Sequence, residues 1–193
     1  TMGGPSVGVE EEFLLADPRT GRPVAGNREV AARAARRGVA LQCEFTTAQV
    51  ETATDKTDTS SQLREQISDL RAVAAASAAE AGAVLLAVGL PPSMGEPFGL
   101  TDCPRYRRMV DTLGMVTDER GNNGCHVHVA VPSRDAALAV SNWMRPWLPV
   151  MLALTANSAV FRDIDTGHAS WRHVMWTRWP SAGPPPFFES PAH

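Results

Sequence analysis

The chain has 193 residues, of which 44% are hydrophobic and 20% charged, with a formal net charge of −3. That length suits one compact domain burying roughly 70% of the surface its unfolded form exposes, and the mildly acidic balance offers no basic footprint for nucleic acid. Three cysteines without a C-x-x-C pair argue against a disulfide scaffold or zinc knuckle and for a reducing cytoplasm. No basic-then-apolar leader opens the chain, and Thr1 ahead of Met2 reads as a remnant of expression. The longest apolar stretch, residues 147–156, is too short to span a bilayer, so no membrane partner is expected.

Val7-Gly8-Val9 leads into Glu10-Glu11-Glu12, and Phe13-Leu14-Leu15 leads out, which predicts a first strand over residues 6–16. Side chains alternate along a strand, so Glu10 and Glu12 share one face and Glu11 takes the other. Two carboxylates on a strand that otherwise reads as core repel each other and lose hydration. A cation between them removes both costs. Oxygen ligands suit Mg²⁺ or Mn²⁺ rather than Zn²⁺. The competing reading is a surface strand with a solvated acidic edge.

Residues 17–23 supply a turn into a second extended stretch. Residues 29–37 read as a short helix closing at Gly38, and residues 39–54 are β-prone, with Glu44 and Glu51 embedded. Those two lie seven positions apart, on opposite faces of a continuous strand. They can share a site only if the chain bends, as Thr46-Thr47-Ala48 would allow. A long helix follows, with Asp58 or Thr59 as cap and Gln62 completing a capping box. Leu63, Ile67, Leu70 and Val73 repeat at helical spacing, and the helix runs to about Gly82. A buried strand is expected over 83–89, then a proline-opened loop to about Pro104 and a helix over 105–114. A strand over 126–131 comes next and a helix starts at 135–143, which Pro146 and Pro149 break or restart before Ser158. Beyond Trp179 the chain is proline-rich and extended, without a packed pattern.

His126 and His128 flank Val127 and so share a strand face. Such a pair can bind zinc, but no third soft ligand lies nearby in sequence; each alone is equally a hydrogen-bonded core or cleft histidine. Neither a P-loop nor a dinucleotide-binding glycine motif occurs, and residues 121–124 (G-N-N-G) form a turn rather than a phosphate cradle. If ATP is used, metal ions and arginines must hold its phosphates.

Six motifs then carry a family resemblance: G-V-E-E-E-F-L-L at residues 8–15, A-Q-V-E-T-A-T at 48–54, G-C-H-V-H-V at 124–129, R-P-W-L-P at 145–149, D-T-G-H-A-S-W-R at 165–172 and W-P-S-A-G-P-P-P at 179–186. In this order they resemble the type 2 glutamate–cysteine ligase family, also called the YbdK-like carboxylate–amine ligases. The resemblance implies an α+β, glutamine synthetase-like fold with a curved antiparallel sheet flanked by helices, residues 1–193 forming the N-terminal part of the catalytic domain. It also implies ATP-dependent ligation of a glutamate-type side-chain carboxylate to an amine such as that of cysteine, with Mg²⁺ or Mn²⁺. Carried over residue by residue, the metal ligands fall on Glu10, Glu12, Glu44, Glu51 and His126. His128 and Arg107 fall on nucleotide binding, and Arg107 and Arg172 on phosphate and substrate-carboxylate contacts. Surface or ion-paired arginines are the alternative for those last two.

Family members are expected to continue into a second half that closes the funnel and adds metal- and phosphate-binding residues. The chain stops at Glu189-Ser190-Pro191-Ala192-His193 and therefore reads as a fragment, a truncated form or a natural half protein. A half protein implies self-association or a complementary C-terminal half, and a non-catalytic binder of metal or nucleotide is the rival function. Asp55-Lys56, His168 and the run Phe161-Arg162-Asp163-Ile164 depart from the family pattern near the expected substrate side.

Overall fold

The computed structural model describes residues 4–94, 99–117 and 121–190. Thr1 and Met2, the middle of the loop before Pro104 and residues 191–193 lie outside the described residues.

The first strand, β1, spans Val7–Ala16 and is the axis of the sheet. On one edge it pairs antiparallel with β3 (Gln49–Ala53), and β2 (Gln42–Cys43) follows beyond β3. On the other edge two strands lie end to end. β4 (Val84–Leu86) pairs with residues 14–16 and β5 (Cys125–Val129) with residues 7–11, both antiparallel. Between them, the Glu12 N–H donates to the Gly124 carbonyl at 2.9 Å.

Alternation along β1 sends Val9, Phe13 and Leu15 to one face, where helices α1 (Asn27–Ala35) and α2 (Ser60–Glu80) cover the sheet. Phe13, Leu15, Val30, Ala34, Val50, Ala74 and Ala78 form the core there. Alanines on both helices let the backbones approach the sheet closely. Each large apolar side chain buried adds about 1.5–3 kcal/mol. The Thr59 hydroxyl caps α2 by accepting from the Gln62 N–H at 3.3 Å, as expected. Gln62 Oε1 accepts from the hydroxyls of Thr57 and Thr59 instead of the side chain reaching back to the cap amide. Past α2, Gly82 at φ +78° takes the left-handed conformation that turns the chain straight into β4.

The β-prone stretch over 39–54 is two strands, not one. Between them the chain turns, held by the Thr47 N–H on the Gly99 carbonyl (2.9 Å) and by the Thr46 hydroxyl on Gln49 Oε1 (2.7 Å). The second extended stretch after residue 17 reduces to a single bridge between Ala16 and Pro23. The strand expected over 83–89 stops at Leu86, because the carbonyls of Val88 and Gly89 bond to Asn123 rather than to a neighbouring strand.

Helix α3 (Pro104–Leu113) follows, with its proline in the first turn, where no N–H is required. Helix α4 (Arg134–Met144) runs through a 3-10 turn at Arg145–Trp147 into α5 (Leu148–Thr155). Pro146 and Pro149 again occupy first turns, so of the two expected outcomes the helix restarts at them, as a 3-10 turn and then α5. A two-residue hairpin, β6 (Val160–Phe161) and β7 (Ile164–Asp165), and a short helix α6 (Trp171–Trp176) complete the order. These last three are too short to leave a periodic signal. Neither α4 nor α5 buries a residue, and Trp143 and Leu154 are 65% and 81% exposed. No helix among the described residues is long and apolar enough to cross a membrane.

Candidate active site

The face of β1 turned away from α1 and α2 carries Glu10 and Glu12. Antiparallel register sets Glu51 of β3 directly across from Glu12, and His126 of β5 directly across from Glu10. Glu44 follows β2, and the turn over 44–48 brings it round to Glu51. Two trios result. Ligand atoms of Glu12, Glu44 and Glu51 all lie within 4.8 Å of one another, as do those of Glu10, His126 and His128. Glu10 Oε2 is 3.3 Å from His126 Nδ1 and 3.0 Å from His128 Nε2. Glu11 points the opposite way and accepts from Arg71 Nε of α2 at 2.8 Å.

The two trios differ in charge balance. Burial, then the neighbouring carboxylate of Glu44, pushes the Glu51 carboxyl up to about 8. Burial also raises Glu12, against the Gly124 N–H that donates to its Oε2 at 2.8 Å. Three such groups cannot all ionise cheaply without a counter-charge. Glu10 is instead lowered, chiefly by its hydrogen bond to His128. The donors reaching the acidic trio are neutral: the Gly124 N–H, the Phe45 N–H on Glu44 Oε2 at 3.0 Å, and the Tyr106 O–H on the same oxygen at 3.1 Å. Three converging carboxylates fit a hard divalent cation such as Mg²⁺ or Mn²⁺. Glu10, His126 and His128 form a mixed carboxylate–imidazole set suited to a second ion.

A cavity of about 550 Å³ opens beside Glu12 and His126, with Asn123, Asn157, Arg172 and Trp176 on its walls. Arg172 donates from Nε to the Asn123 carbonyl at 2.9 Å and stacks over Trp176 at 5.2 Å. Burial lowers its pKa, and nearby Glu12 partly restores it. Gly89 lets Asn157 and Arg172 come close: a Cβ on it would lie 2.6 Å from Asn157 Oδ1 and 3.1 Å from Arg172 Cδ, so both side chains would have to shift. Arg107 lies elsewhere, its guanidinium paired with Asp102 at the surface.

The residues that hold the site in shape escaped the sequence reading. Gln49, buried, donates from Nε2 to the Asn122 carbonyl (2.9 Å) and Asn123 Oδ1 (2.8 Å), fixing the turn that aims Gly124 at Glu12. Tyr106, next to the singled-out Arg107, is the side chain of α3 that reaches Glu44. A lone aromatic on an arginine-rich helix was the available signal for it.

The fold is shared with ligases of known structure. A glutamate–cysteine ligase from Francisella tularensis, solved in complex with AMP, superposes with a TM-score of 0.64 at 12% identity, covering 88% of this chain and 42% of that one. A bifunctional glutathione synthetase from Pasteurella multocida gives 0.61 at 17% identity, covering 82% and 24%. These fix the class: an α+β fold, an antiparallel sheet with helices against it, as found in amino-acid ligases. The sequence fixes the family, for the profile of glutamate-cysteine ligase family 2 (GCS2) matches residues 6–193, and the chain belongs to that family. A Mycolicibacterium vanbaalenii protein provisionally named glutamate–cysteine ligase 2-2 is 63% identical over 186 residues, covering 96% of this chain and 51% of the relative. A Nocardia farcinica relative, provisionally glutamate–cysteine ligase 2-1, is 54% identical over 191 residues, covering 99% and 50%. The chain spans about half the length of the curated relatives it matches.

Proposed function

We propose that the chain carries the metal and nucleotide side of an ATP-dependent carboxylate–amine ligase of the glutamate–cysteine ligase type. The observation that carries this reading is the acidic trio, Glu12, Glu44 and Glu51, converging on one sheet face beside a cavity that holds Arg172. In this reading Glu12, Glu44 and Glu51 hold one divalent ion, and Glu10, His126 and His128 hold a second or meet the phosphates. The bound ions neutralise phosphate charge. Arg172, fixed from behind by the Asn123 carbonyl and the Trp176 ring, offers its remaining N–H donors to a substrate carboxylate.

The chemistry needs no protein nucleophile. A carboxylate oxygen of a glutamate-type substrate attacks the γ-phosphorus of ATP, ADP leaves, and an acyl phosphate results. An amine then attacks the acyl carbon, loses a proton, and phosphate leaves. The residues contribute positioning and charge neutralisation. This matches a site built from carboxylates on rigid strands. The names of the family and its relatives support the ligase class, and the AMP in the Francisella enzyme supports nucleotide use.

The test is ADP release from Mg²⁺-ATP with L-glutamate, with and without cysteine, for the chain and its Glu12→Gln variant. Glutamate-dependent release, lowered roughly tenfold or more by the substitution, is the expected result. A variant that folds and turns over like the parent removes Glu12 from the site.

A second reading has its own support in the exposed apolar side chains of α4 and α5, including Trp143 and Leu154. Here the chain is a binding half that a complementary polypeptide or a second copy completes. Mg²⁺-ATP binding without ADP release, together with a solution mass above 20.7 kDa, is what this reading predicts.

A further inference from the structure

Glu44 is the most tightly held member of the acidic trio, and α3 does much of the holding. Its Oε2 receives both the Phe45 N–H at 3.0 Å and the Tyr106 O–H at 3.1 Å. Its backbone is tied as well: the Glu44 N–H donates to the Gln49 carbonyl at 3.3 Å, and the Thr101 hydroxyl donates to the Glu44 carbonyl. Tyr106 is 7% exposed, and its ring stands edge-on to Phe45 with centroids 5.3 Å apart. The phenol is therefore locked before any ion arrives. With two donors on Oε2, Oε1 is the oxygen of Glu44 that neither Phe45 nor Tyr106 reaches.

We infer that Tyr106 is a positioning residue for the metal site, saturating Glu44 Oε2 so that Oε1 is presented to the cation with Glu12 and Glu51. The inference rests on the metal-site reading above. It assigns a function to α3, which contributes no ligand of its own: the helix delivers one buried hydroxyl to the back of a ligating carboxylate. Partners of this kind orient the ligand and raise its charge density, and their loss typically weakens metal binding about 10–100-fold.

Tyr106 is the chain's sole tyrosine, which makes it a built-in reporter. With 3-fluorotyrosine incorporated, the protein has one ¹⁹F resonance, and stoichiometric Mn²⁺ should broaden it in the parent chain. Mn²⁺ affinity is measured alongside by the electron paramagnetic resonance signal of the free ion. Tyr106→Phe, which keeps the ring against Phe45, should weaken Mn²⁺ binding roughly tenfold or more. In a Glu44→Gln background the same substitution should produce no further loss, because its effect passes through Glu44.

An unchanged Mn²⁺ affinity in Tyr106→Phe overturns the inference and leaves the metal site standing. A loss of equal size in the Glu44→Gln background overturns it too, by showing a general structural effect. Failure of the parent chain to bind Mn²⁺ overturns the metal-site reading, and the inference with it.

Discussion

On the helix side of β1, Phe13 and Leu15 pack against α1 and α2, and Val9 on the same face is buried with them. On the other side, one residue along each time, Glu10 and Glu12 meet Glu51, Glu44 and the two histidines. The same ten-residue strand thus supports a core and a charged cluster through period-two alternation alone. The helix side stabilises the domain by removing apolar surface from water. The acidic side costs stability, since Glu12, Glu44 and Glu51 are held together against repulsion and desolvation. Removing a group from the first face should harm folding and spare binding chemistry; removing one from the second should do the reverse.

The largest effect is expected from Phe13→Ala, which opens a cavity under α1 and α2. It should lower unfolding free energy by about 3–5 kcal/mol in a denaturant titration, and a loss below 1 kcal/mol would mean the helices are not packed as described. Glu12→Gln comes next, with its roughly tenfold or greater loss of turnover and an unfolding midpoint no lower than the parent's without metal.

Third is a pH effect specific to the acidic face. The Glu51 carboxyl rises from its ordinary value near 4.5 to about 8 on folding, so the folded chain binds its proton more tightly than the unfolded one. Stability from this source is fully present below about 4.5 and is lost as pH climbs through about 8. Glu12 shifts in the same direction. Thermal midpoints of the metal-free chain should therefore fall between those limits, and either Mn²⁺ or Glu51→Gln should flatten the slope. A slope untouched by both would remove Glu51 as its source. The smallest effect belongs to Arg71→Ala, which unpairs Glu11 on the helix side. With Arg71 half-exposed, the cost should stay under about 1 kcal/mol by the same denaturant titration.

How much of this was legible in the sequence follows from range. Alternation and helical spacing are local, so β1, α2, α3 and α4 fell within a few residues of their observed bounds. The opposition of Glu10 and Glu12 to Glu11 was readable for the same reason. Glu44 and Glu51 were readable as partners only on condition of a bend, and the bend depends on Gly99, far along the chain. His128 lies with Glu10 and His126 because β5 pairs with β1 in one particular register, which spacing within β5 does not reveal. Arg107 drew attention through its charge, whereas the neighbouring Tyr106 makes the contact with Glu44. Gln49 and Asn123 were illegible because a buried amide network is built from partners distant in sequence. Helix α5 is hydrophobic all round, a pattern that predicts burial, yet none of its residues is fully buried among the described residues.

The abutment of β4 and β5 along one edge of β1 has an evolutionary consequence. Both strands dock on a fixed neighbour, so their register is set by β1, while the chain between them supplies Gly99, Thr101 and Tyr106, which hold the bend at Thr47 and the Glu44 carboxylate. The final turn of that chain, Gly121 to Gly124, sets the rim of the cavity beside Glu12. Changes confined to that turn can reshape the rim of the cavity while the carboxylates on β1 and β3 stay in place.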